Sequence, residues 1–251
     1  MKPDAEPAGA QADTESPDNA VADSSVAVIL PAAGRGNRFG RHTNKLFASL
    51  AGQPLWTHAA GMLASLPAVG RVVMAVSESD RACFQDQAAA AGLEPLISWV
   101  SGGAERWHSV ASALRFLEQG AGQSLIAVHD AARPILRQAE VLAVFAEARR
   151  TGAALLAAPV SGTLKRRDPA RSTCVTVDRR EMFVALTPQV FAADVIRQAY
   201  ARHRGNPVTD DAQLVERSGH PVSLVPGSAD NLKITYPEDL RIAEAIWSTH
   251  V

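Results

Sequence analysis

Short apolar segments alternate with longer amphipathic segments over most of the chain. The apolar segments are continuous in hydrophobicity, which is typical of strands buried on both faces of a sheet. They occupy residues 26–32, 72–77, 95–100, 125–130 and 154–160. The segments at 55–66, 107–117 and 138–149 repeat apolar residues at helical spacing. This alternation predicts an α/β fold, a mostly parallel sheet with helices on both faces.

The alternation is interrupted at residues 161–180, "SGTLKRRDPARSTCVTVDRR". This segment combines a Lys-Arg-Arg run, an Asp-Pro turn signal and a short alternating stretch, and it is too polar for a core. It predicts a β-arm that projects from the domain. Beyond it the pattern predicts helices from Ala192 to about Arg202 and from about Asp210, then the strand "VSLVPG" and a last helix after Pro237.

Residues 1–24 differ in composition from the rest. They carry six acidic residues and one lysine and almost no large apolar side chain, so we expect a disordered acidic tail followed by one domain at 25–251. The net charge is −5 for the tail and −1 for the whole chain, which leaves +4 on the domain. A mildly basic domain suits a small anionic substrate and is too weakly charged to predict nucleic-acid binding.

The cysteine content and hydropathy suggest where the protein acts. The two cysteines, Cys83 and Cys174, lack the spacing of a zinc site or a disulfide framework. No apolar run approaches the ~18–20 residues of a membrane helix, and the acidic N-terminus lacks the apolar core of a secretory signal. We therefore expect a cytoplasmic protein with no membrane partner.

The first predicted strand leads into a small, glycine-rich and basic loop, "VILPAAGRGNRFGRHTNKLF" at residues 28–47. It lacks the GxxxxGK[ST] pattern of a P-loop. It also fails the GxGxxG dinucleotide pattern, because Phe39 stands at the third glycine and no acidic residue follows at the expected distance. A dinucleotide-binding oxidoreductase is therefore a weak alternative.

The same loop offers backbone N–H groups and fixed cations. Its small residues, which leave room for a phosphate group, are Ala32, Ala33, Gly34 and Gly36. Arg38 and Lys45 add positive charge, as a phosphoryl-transfer transition state requires. A solvated basic loop is the other interpretation, and the rest of the chain must decide between them.

A second cluster of polar residues, "VHDAARP", ends the strand at 125–130. Asp130 could orient substrate hydroxyls or help to place Mg²⁺, or it could cap an Asx turn. Arg133 follows three residues later and could reach the same pocket, which favours a functional role. His129 has no nucleophile to pair with and is interpreted as structural.

Six further motifs occur in a fixed order along the chain. They are "SGGAERWHSV", "VHDAARP", "LAAPVSGTLKR", "TVDRREMFVALTPQVF", "TDDAQLVERSG" and "ADNLKITYPEDL". Together with "LPAAGRGNRFG" and the downstream "NK", they resemble the 2-C-methyl-D-erythritol 4-phosphate cytidylyltransferase family of the non-mevalonate isoprenoid pathway. The resemblance covers about residues 25–246, which is everything except the tail and the last few residues.

The resemblance implies a fold and a reaction. The fold would be Rossmann-like, of the nucleotide-diphospho-sugar transferase type, with two subunits dimerising through the β-arm. The reaction would use CTP, with Mg²⁺ or another divalent cation, to form a CDP-linked methylerythritol and pyrophosphate. Because the attacking phosphate oxygen is already anionic, positioning and charge neutralisation would suffice without a general base.

The resemblance also implies roles for individual residues. Arg38 and Lys45 would stabilise the transition state, and Arg179 and Lys233 would position the attacking phosphate. CTP would be bound at Pro31, Ala32, Ala33, Gly34, Gly36, Gly102, Gly103, Ser109 and Asp130. Methylerythritol phosphate would be bound at Asp130, Arg133, Thr163, Arg179, Thr187, Thr209 and Lys233. Arg179 would reach into the partner's active site, and Asp130 or the CTP phosphates would hold the metal.

Two positions depart from the pattern of the family. Ala104 stands where the family often has Asp, and Asn44 stands where it often has Pro. A cytidylyltransferase for another polyol phosphate, such as ribitol 5-phosphate, would share the CTP residues and is the main alternative. A nucleotide-binding regulatory module without catalysis is a second alternative, which the presence of both Arg38 and Lys45 disfavours.

Overall fold

The computed structural model describes residues 25–34, 39, 44–120, 122–168, 170 and 173–250. The predicted acidic tail, residues 1–24, lies outside these ranges, as do Gly36 and Arg38 of the basic loop. Within the described residues no helix is both long enough and apolar enough to cross a membrane.

A seven-stranded sheet forms the centre of the molecule. The strands in chain order are β1 Val26–Pro31, β2 Ser49–Leu50, β3 Gln53–Pro54, β4 Val69–Val76, β5 Ile97–Ser101, β6 Leu125–Val128, β7 Ala153–Pro159, β8 Leu164–Asp168, β9 Thr173–Val177, β10 Phe183–Ala192 and β11 Ser223–Pro226. The sheet has the order β11-β7-β10-β6-β1-β4-β5. Only β10 runs antiparallel to its neighbours in this sheet, β6 and β7, so the prediction of a mostly parallel sheet is confirmed.

Seven α-helices connect the strands of the described residues. They are α1 Leu55–Ala64, α2 Arg81–Ala90, α3 Arg106–Glu118, α4 Gln138–Thr151, α5 Ala193–Arg202, α6 Asp211–Arg217 and α7 Pro237–His250. The predicted helices correspond to α1, α3, α4, α5, α6 and α7, with ends shifted by a few residues. The strand predicted at 72–77 corresponds to β4, which begins earlier, at Val69. The first residues of β4 are less buried than its apolar centre, so the hydrophobic pattern did not reveal them.

The two faces of the sheet bury two separate hydrophobic clusters. Along β1, Val28 and Leu30 belong to one cluster, whereas Ala27 and Ile29 belong to the other. The helices α1, α2, α4 and α7 cover the first cluster, and α3, α5 and α6 cover the second. Burial on both faces explains why the strand segments are continuously apolar.

This topology brings the ends of β1, β4, β5 and β6 to one edge, because parallel strands all finish on the same side. In open α/β sheets that carboxyl edge is where ligands bind. The predicted polar segment at 161–180 contains the antiparallel hairpin β8–β9, which pairs outside the main sheet. The described residues of these two strands are exposed or half-buried, as expected for an arm.

Candidate functional site

A cavity of about 170 Å³ opens at the carboxyl edge of the sheet. Nine of the residues predicted from the sequence line it: Pro31, Ala32, Ala33, Gly34, Lys45, Gly103, Ser109, Asp130 and Lys233. They come from six separate parts of the chain, which only the folded sheet brings together. Arg106, which was not among the predicted site residues, lines the same cavity.

The loop after β1 leaves the sheet with its backbone held to the neighbouring strand. The Ala32 N–H donates to the carbonyl of Ala75 over 2.8 Å, which continues the pairing of β1 with β4 beyond Pro31. A methyl group added at Gly34 would meet no atom of the described residues within 4 Å, so this position faces open space with respect to them. The start of the loop is therefore fixed, while Gly34 leaves its backbone open to an approaching ligand.

The glycines after β5 are required by close packing. A Cβ atom at Gly102 would lie 2.3 Å from the Cβ of Ala33, and one at Gly103 would lie 2.3 Å from the Cβ of His108. The Gly103 N–H donates to the Oγ of Ser109 over 3.1 Å, and Ser109 is buried. This bond connects the glycine turn to the first turns of α3 and fixes one wall of the cavity.

Lys45 begins a short 3₁₀ helix, Lys45–Phe47, on the opposite wall. Its Nζ donates to the carbonyl of Ile234 over 2.6 Å. Asn44 caps this turn, since its Oδ1 accepts from the Leu46 N–H and its Nδ2 donates to Asp80 Oδ2 over 3.0 Å. The lysine is thus positioned by two anchored loops.

Asp130 lies at the centre of the charged residues of the cavity. Its Oδ1 accepts from Arg106 Nε over 3.1 Å, and its Oδ2 contacts Lys233 Nζ at 2.9 Å and Arg133 Nε at 3.4 Å. Burial by itself would raise the pKa of Asp130, but the charges of Arg106, Lys233 and Arg133 outweigh it and hold the pKa well below its usual range. Asp130 is therefore a permanent carboxylate that orients three cations.

A buried hydrogen-bond chain supports Asp130 from behind. The Asp130 N–H donates to Thr187 Oγ1 over 3.1 Å, and the same hydroxyl lies 3.0 Å from His129 Nδ1. His129 Nε2 lies 3.1 Å from the carbonyl of Arg133, which can only accept, so Nε2 carries the proton. Burial lowers the pKa of His129 to about 4, which keeps the ring neutral and makes Nδ1 the acceptor for the Thr187 hydroxyl.

Arg106 links Asp130 to a second buried carboxylate. Its Nη1 donates to Asp211 Oδ2 over 2.6 Å, and Tyr200 donates its hydroxyl to Asp211 Oδ1 over 2.5 Å. Burial would lower the pKa of Arg106, but Asp211 and Asp130 outweigh burial and raise it. A signal for this pair existed in the sequence: a cation at the first residue of a helix opposes the helix dipole, so it calls for nearby negative charge.

A second cavity, of about 500 Å³, lies beside the first and shares Lys233 with it. Its lining is mostly apolar, with Arg133 on one side and Ser161 and Gly162, at the base of the arm, on another. The other predicted substrate residues are more remote: Thr163, Arg179 and Thr209 are exposed, and none lines either cavity in the described part of the chain. Arg179 donates to the carbonyl of Ser161.

The acidic side chains do not fit a metal centre held by the protein alone. Within the described residues, no three His, Cys, Asp or Glu side chains come together in a group that could hold a metal ion. Both oxygens of Asp130, the predicted possible ligand, already contact cationic groups, so a divalent cation placed there would meet like charge. The site instead presents an excess of positive charge, which suits a polyanionic ligand.

Comparison with known proteins places these features in a family. The model of the 2-C-methyl-D-erythritol 4-phosphate cytidylyltransferase (IspD) family matches residues 26–249. The chain is similar to a protein of that name from Rhodopirellula baltica, with 58% identity over 231 residues, 88% of this chain and 94% of the relative. A second, from Bacillus velezensis, is 39% identical over 222 residues, covering 87% and 94%.

A solved structure gives the same result. The crystal structure of 2-C-methyl-D-erythritol 4-phosphate cytidylyltransferase from Thermus thermophilus is 35% identical to this chain and superimposes with a TM-score of 0.68. The match covers 88% of this chain and 98% of that chain. The similarity therefore extends over the whole sheet and both of its helical layers.

Proposed function

The chain belongs to the 2-C-methyl-D-erythritol 4-phosphate cytidylyltransferase family, and we propose that the two adjoining cavities at the carboxyl edge of its sheet form the active site. It is a nucleotidyltransferase that transfers CMP from CTP to 2-C-methyl-D-erythritol 4-phosphate, giving 4-diphosphocytidyl-2-C-methyl-D-erythritol and pyrophosphate. The observation that carries the assignment of the site is the convergence of Lys45, Lys233 and Asp130 on one cavity.

CTP occupies the first cavity in this proposal. Its phosphates lie along the loop of Ala32, Ala33 and Gly34, which lines this cavity. The Ala32 N–H is already bonded to Ala75, whereas Gly34 has no side chain to block the approach of a phosphate group. Gly103 and Ser109 form the opposite wall for the nucleoside. Lys45, together with Arg38, which lies outside the described residues, stabilises the charge that develops at the α-phosphate.

The acceptor occupies the second cavity, with its phosphate held by Lys233 and Arg133. Lys233 lines both cavities, so a phosphate bound there lies beside the CTP site. An oxygen of this phosphate attacks the α-phosphorus in line, and a new O–P bond forms as the bond to the β-phosphate oxygen breaks and its electron pair leaves with pyrophosphate. Asp130 keeps the cations in place and does not need to accept a proton, because the nucleophile is already an anion.

We propose that the divalent cation, Mg²⁺ or another, arrives bound to CTP. The triphosphate supplies oxygen ligands that the protein side chains do not, since Asp130 is already surrounded by Arg106, Arg133 and Lys233. When bound, the cation would neutralise phosphate charge and favour departure of pyrophosphate.

We also propose that a second copy of the chain completes the site through the arm. Val175, Met182, Phe183 and Val184, on the arm or just after it, are 43–51% exposed, which is unusual for large apolar side chains and fits an interface. Arg179 and Thr163 then face the partner's acceptor site rather than their own.

We propose that the protein acts in the cytoplasm. Cys83 and Cys174 are free, which is consistent with that reducing compartment.

The experiment that tests this function is release of pyrophosphate from CTP with three acceptor conditions. We expect rapid release with methylerythritol 4-phosphate, at least ~10²-fold slower release with ribitol 5-phosphate, and none without an acceptor. Omitting Mg²⁺ and adding a chelator should abolish release. Equal rates with ribitol 5-phosphate would keep the mechanism and overturn the acceptor, and an absence of turnover despite CTP binding would favour a regulatory module.

A further inference from the structure

We propose that Arg106 is a positioning residue for the transfer reaction and that the buried pair Asp211–Tyr200 is its anchor. The inference rests on the proposed function, because it concerns the placement of the Asp130 carboxylate beside the acceptor phosphate. None of these three residues was predicted from the sequence motifs. Only Arg106 borders the cavity, whereas Asp211 and Tyr200 act on the site through it.

The position of Arg106 is unfavourable unless carboxylates surround it. It is the first residue of α3, where the helix dipole repels a cation. Its guanidinium nevertheless lies between two carboxylates, at 3.1 Å from Asp130 and 2.6 Å from Asp211. The Asp211 side chain is 1% exposed, so this ion pair is almost removed from solvent. The guanidinium is therefore held by one charge-assisted hydrogen bond to each carboxylate.

The bond from Arg106 determines which oxygen of Asp130 remains for the other cations. Arg106 takes Oδ1, and Lys233 and Arg133 share Oδ2. If Arg106 moved, the carboxylate of Asp130 could rotate, and Lys233 would lose the fixed partner that holds it between the two cavities. A displacement of about 1 Å at a reacting group can cost ~10²-fold in rate.

The side chain of Asp211 can be altered without removing the bonds that hold its helix. The N–H groups of Asp211 and Ala212 both donate to the side-chain oxygen of Gln189, and Asp210 caps the helix by accepting from the Gln213 N–H. These bonds use the backbone. The carboxylate of Asp211 contacts Arg106 and Tyr200, so Asp211→Asn tests the anchor with little change to α6.

The experiment is a double-mutant cycle between Asp211→Asn and Arg106→Gln, with Glu216→Gln as a control at an exposed position of the same helix. We expect each single variant to lower kcat/KM for methylerythritol 4-phosphate by about 10²-fold, with the KM for CTP changed less than about threefold. The double variant should be no worse than Arg106→Gln alone, because the anchor has nothing left to hold. Tyr200→Phe should give a smaller loss in the same parameter.

The thermal stability of the proteins of this cycle separates positioning from a merely structural role. Asp211→Asn should lower the melting temperature of the wild type but raise that of Arg106→Gln, where Asp211 would be a buried carboxylate without a cationic partner. Equal losses of activity for Asp211→Asn in both backgrounds would overturn the anchor, as would normal activity of the single variant. If the wild type itself released no pyrophosphate with the acceptor, the proposed function would fail, and not this inference.

Discussion

Two clusters of basic residues in the described part of the chain have surroundings that give them opposite properties. At the carboxyl edge of the sheet, Arg106, Arg133 and Lys233 converge on Asp130, which is 8% exposed. On the arm, Lys165, Arg166 and Arg167 follow one another along β8 with their side chains in solvent. The residue types are nearly the same, but only the first set is held by a shared buried carboxylate.

The difference decides what each cluster can do. Charges in a low-dielectric setting interact strongly and stay in place, so they can stabilise a transition state without reorganising. Exposed charges such as the pair Arg180–Asp178 are screened by water and contribute little to stability. The arm is accordingly better suited to meeting a partner than to building a site within its own chain.

The largest expected effect comes from removing a cation of the cavity. Lys45→Ala should lower kcat by about 10³-fold or more, because it removes charge from the transition state. The melting temperature should change little. The matched control is Arg166→Ala on the arm, which should keep turnover within about twofold. Turnover of Lys45→Ala within a few-fold of the wild type would show that the cations of the cavity are no more important for turnover than those of the arm.

The buried ring of His129, behind the cavity, should make the stability of the domain sensitive to acid. The pKa of His129 is lowered from 6.5 to about 4 by burial, so below pH 6.5 the unfolded chain binds a proton that the folded chain does not. Stability should therefore fall as the pH drops from about 6.5 to 4, by up to about 3 kcal/mol from this group. Urea unfolding measured across this range should show that the free energy of unfolding depends less steeply on pH in His129→Gln than in the wild type. An identical pH dependence would argue against the neutral buried ring.

A smaller effect should follow from loosening the turn before Lys45. Asp80→Ala removes the acceptor that holds the Asn44 side chain and should lower kcat about tenfold, since Lys45 would be less well placed. Asn44 has φ −64°, a value that proline adopts, and no described residue accepts a bond from its N–H. Asn44→Pro should thus make Asp80→Ala harmless. The same loss in both backgrounds would show that Asp80 acts in some other way.

The smallest effect should come from the exposed ion pair of the arm. Arg180→Ala removes the contact with Asp178, two residues away, and should leave the melting temperature unchanged within error. Calorimetry of this variant in low and high salt measures how much the melting temperature changes when one exposed charge is removed from the arm. A clear loss of stability would mean that the arm is not as solvent-dominated as its exposure indicates.

The sequence predicted the parts of the site that depend on local pattern. Glycine and alanine after β1, Gly103 after β5 and Asp130 after β6 all follow apolar strands, and parallel strands must finish at one edge. The order of the main strands and of the other helices was likewise readable from hydrophobic periodicity, but α2 was not predicted, because it buries only Phe84 and Ala88. The antiparallel direction of β10 was not, because periodicity does not encode strand direction.

The sequence did not reveal the residues that hold the site from behind. Arg106 and Asp211 are 105 positions apart and meet only because α3 and α6 cover the same face of the sheet. The Thr187 hydroxyl, predicted to bind substrate, bonds inward to His129 and Asp130, an arrangement that depends on packing. Such long-range contacts do not produce a periodic pattern in the sequence. The unfavourable position of Arg106 at a helix start was nevertheless a usable signal for a nearby negative charge.

In the proposed function, each cavity is completed by the arm of a second chain. The direct test mixes Lys45→Ala with Arg179→Ala subunits, each nearly inactive alone, after showing by native mass spectrometry that mixed dimers form. Since one mixed site would combine an intact cavity with an intact arm, we expect about a quarter of wild-type activity if the mixture is statistical and the sites act independently. Mixed dimers that stay as inactive as the parent proteins would contradict the shared site.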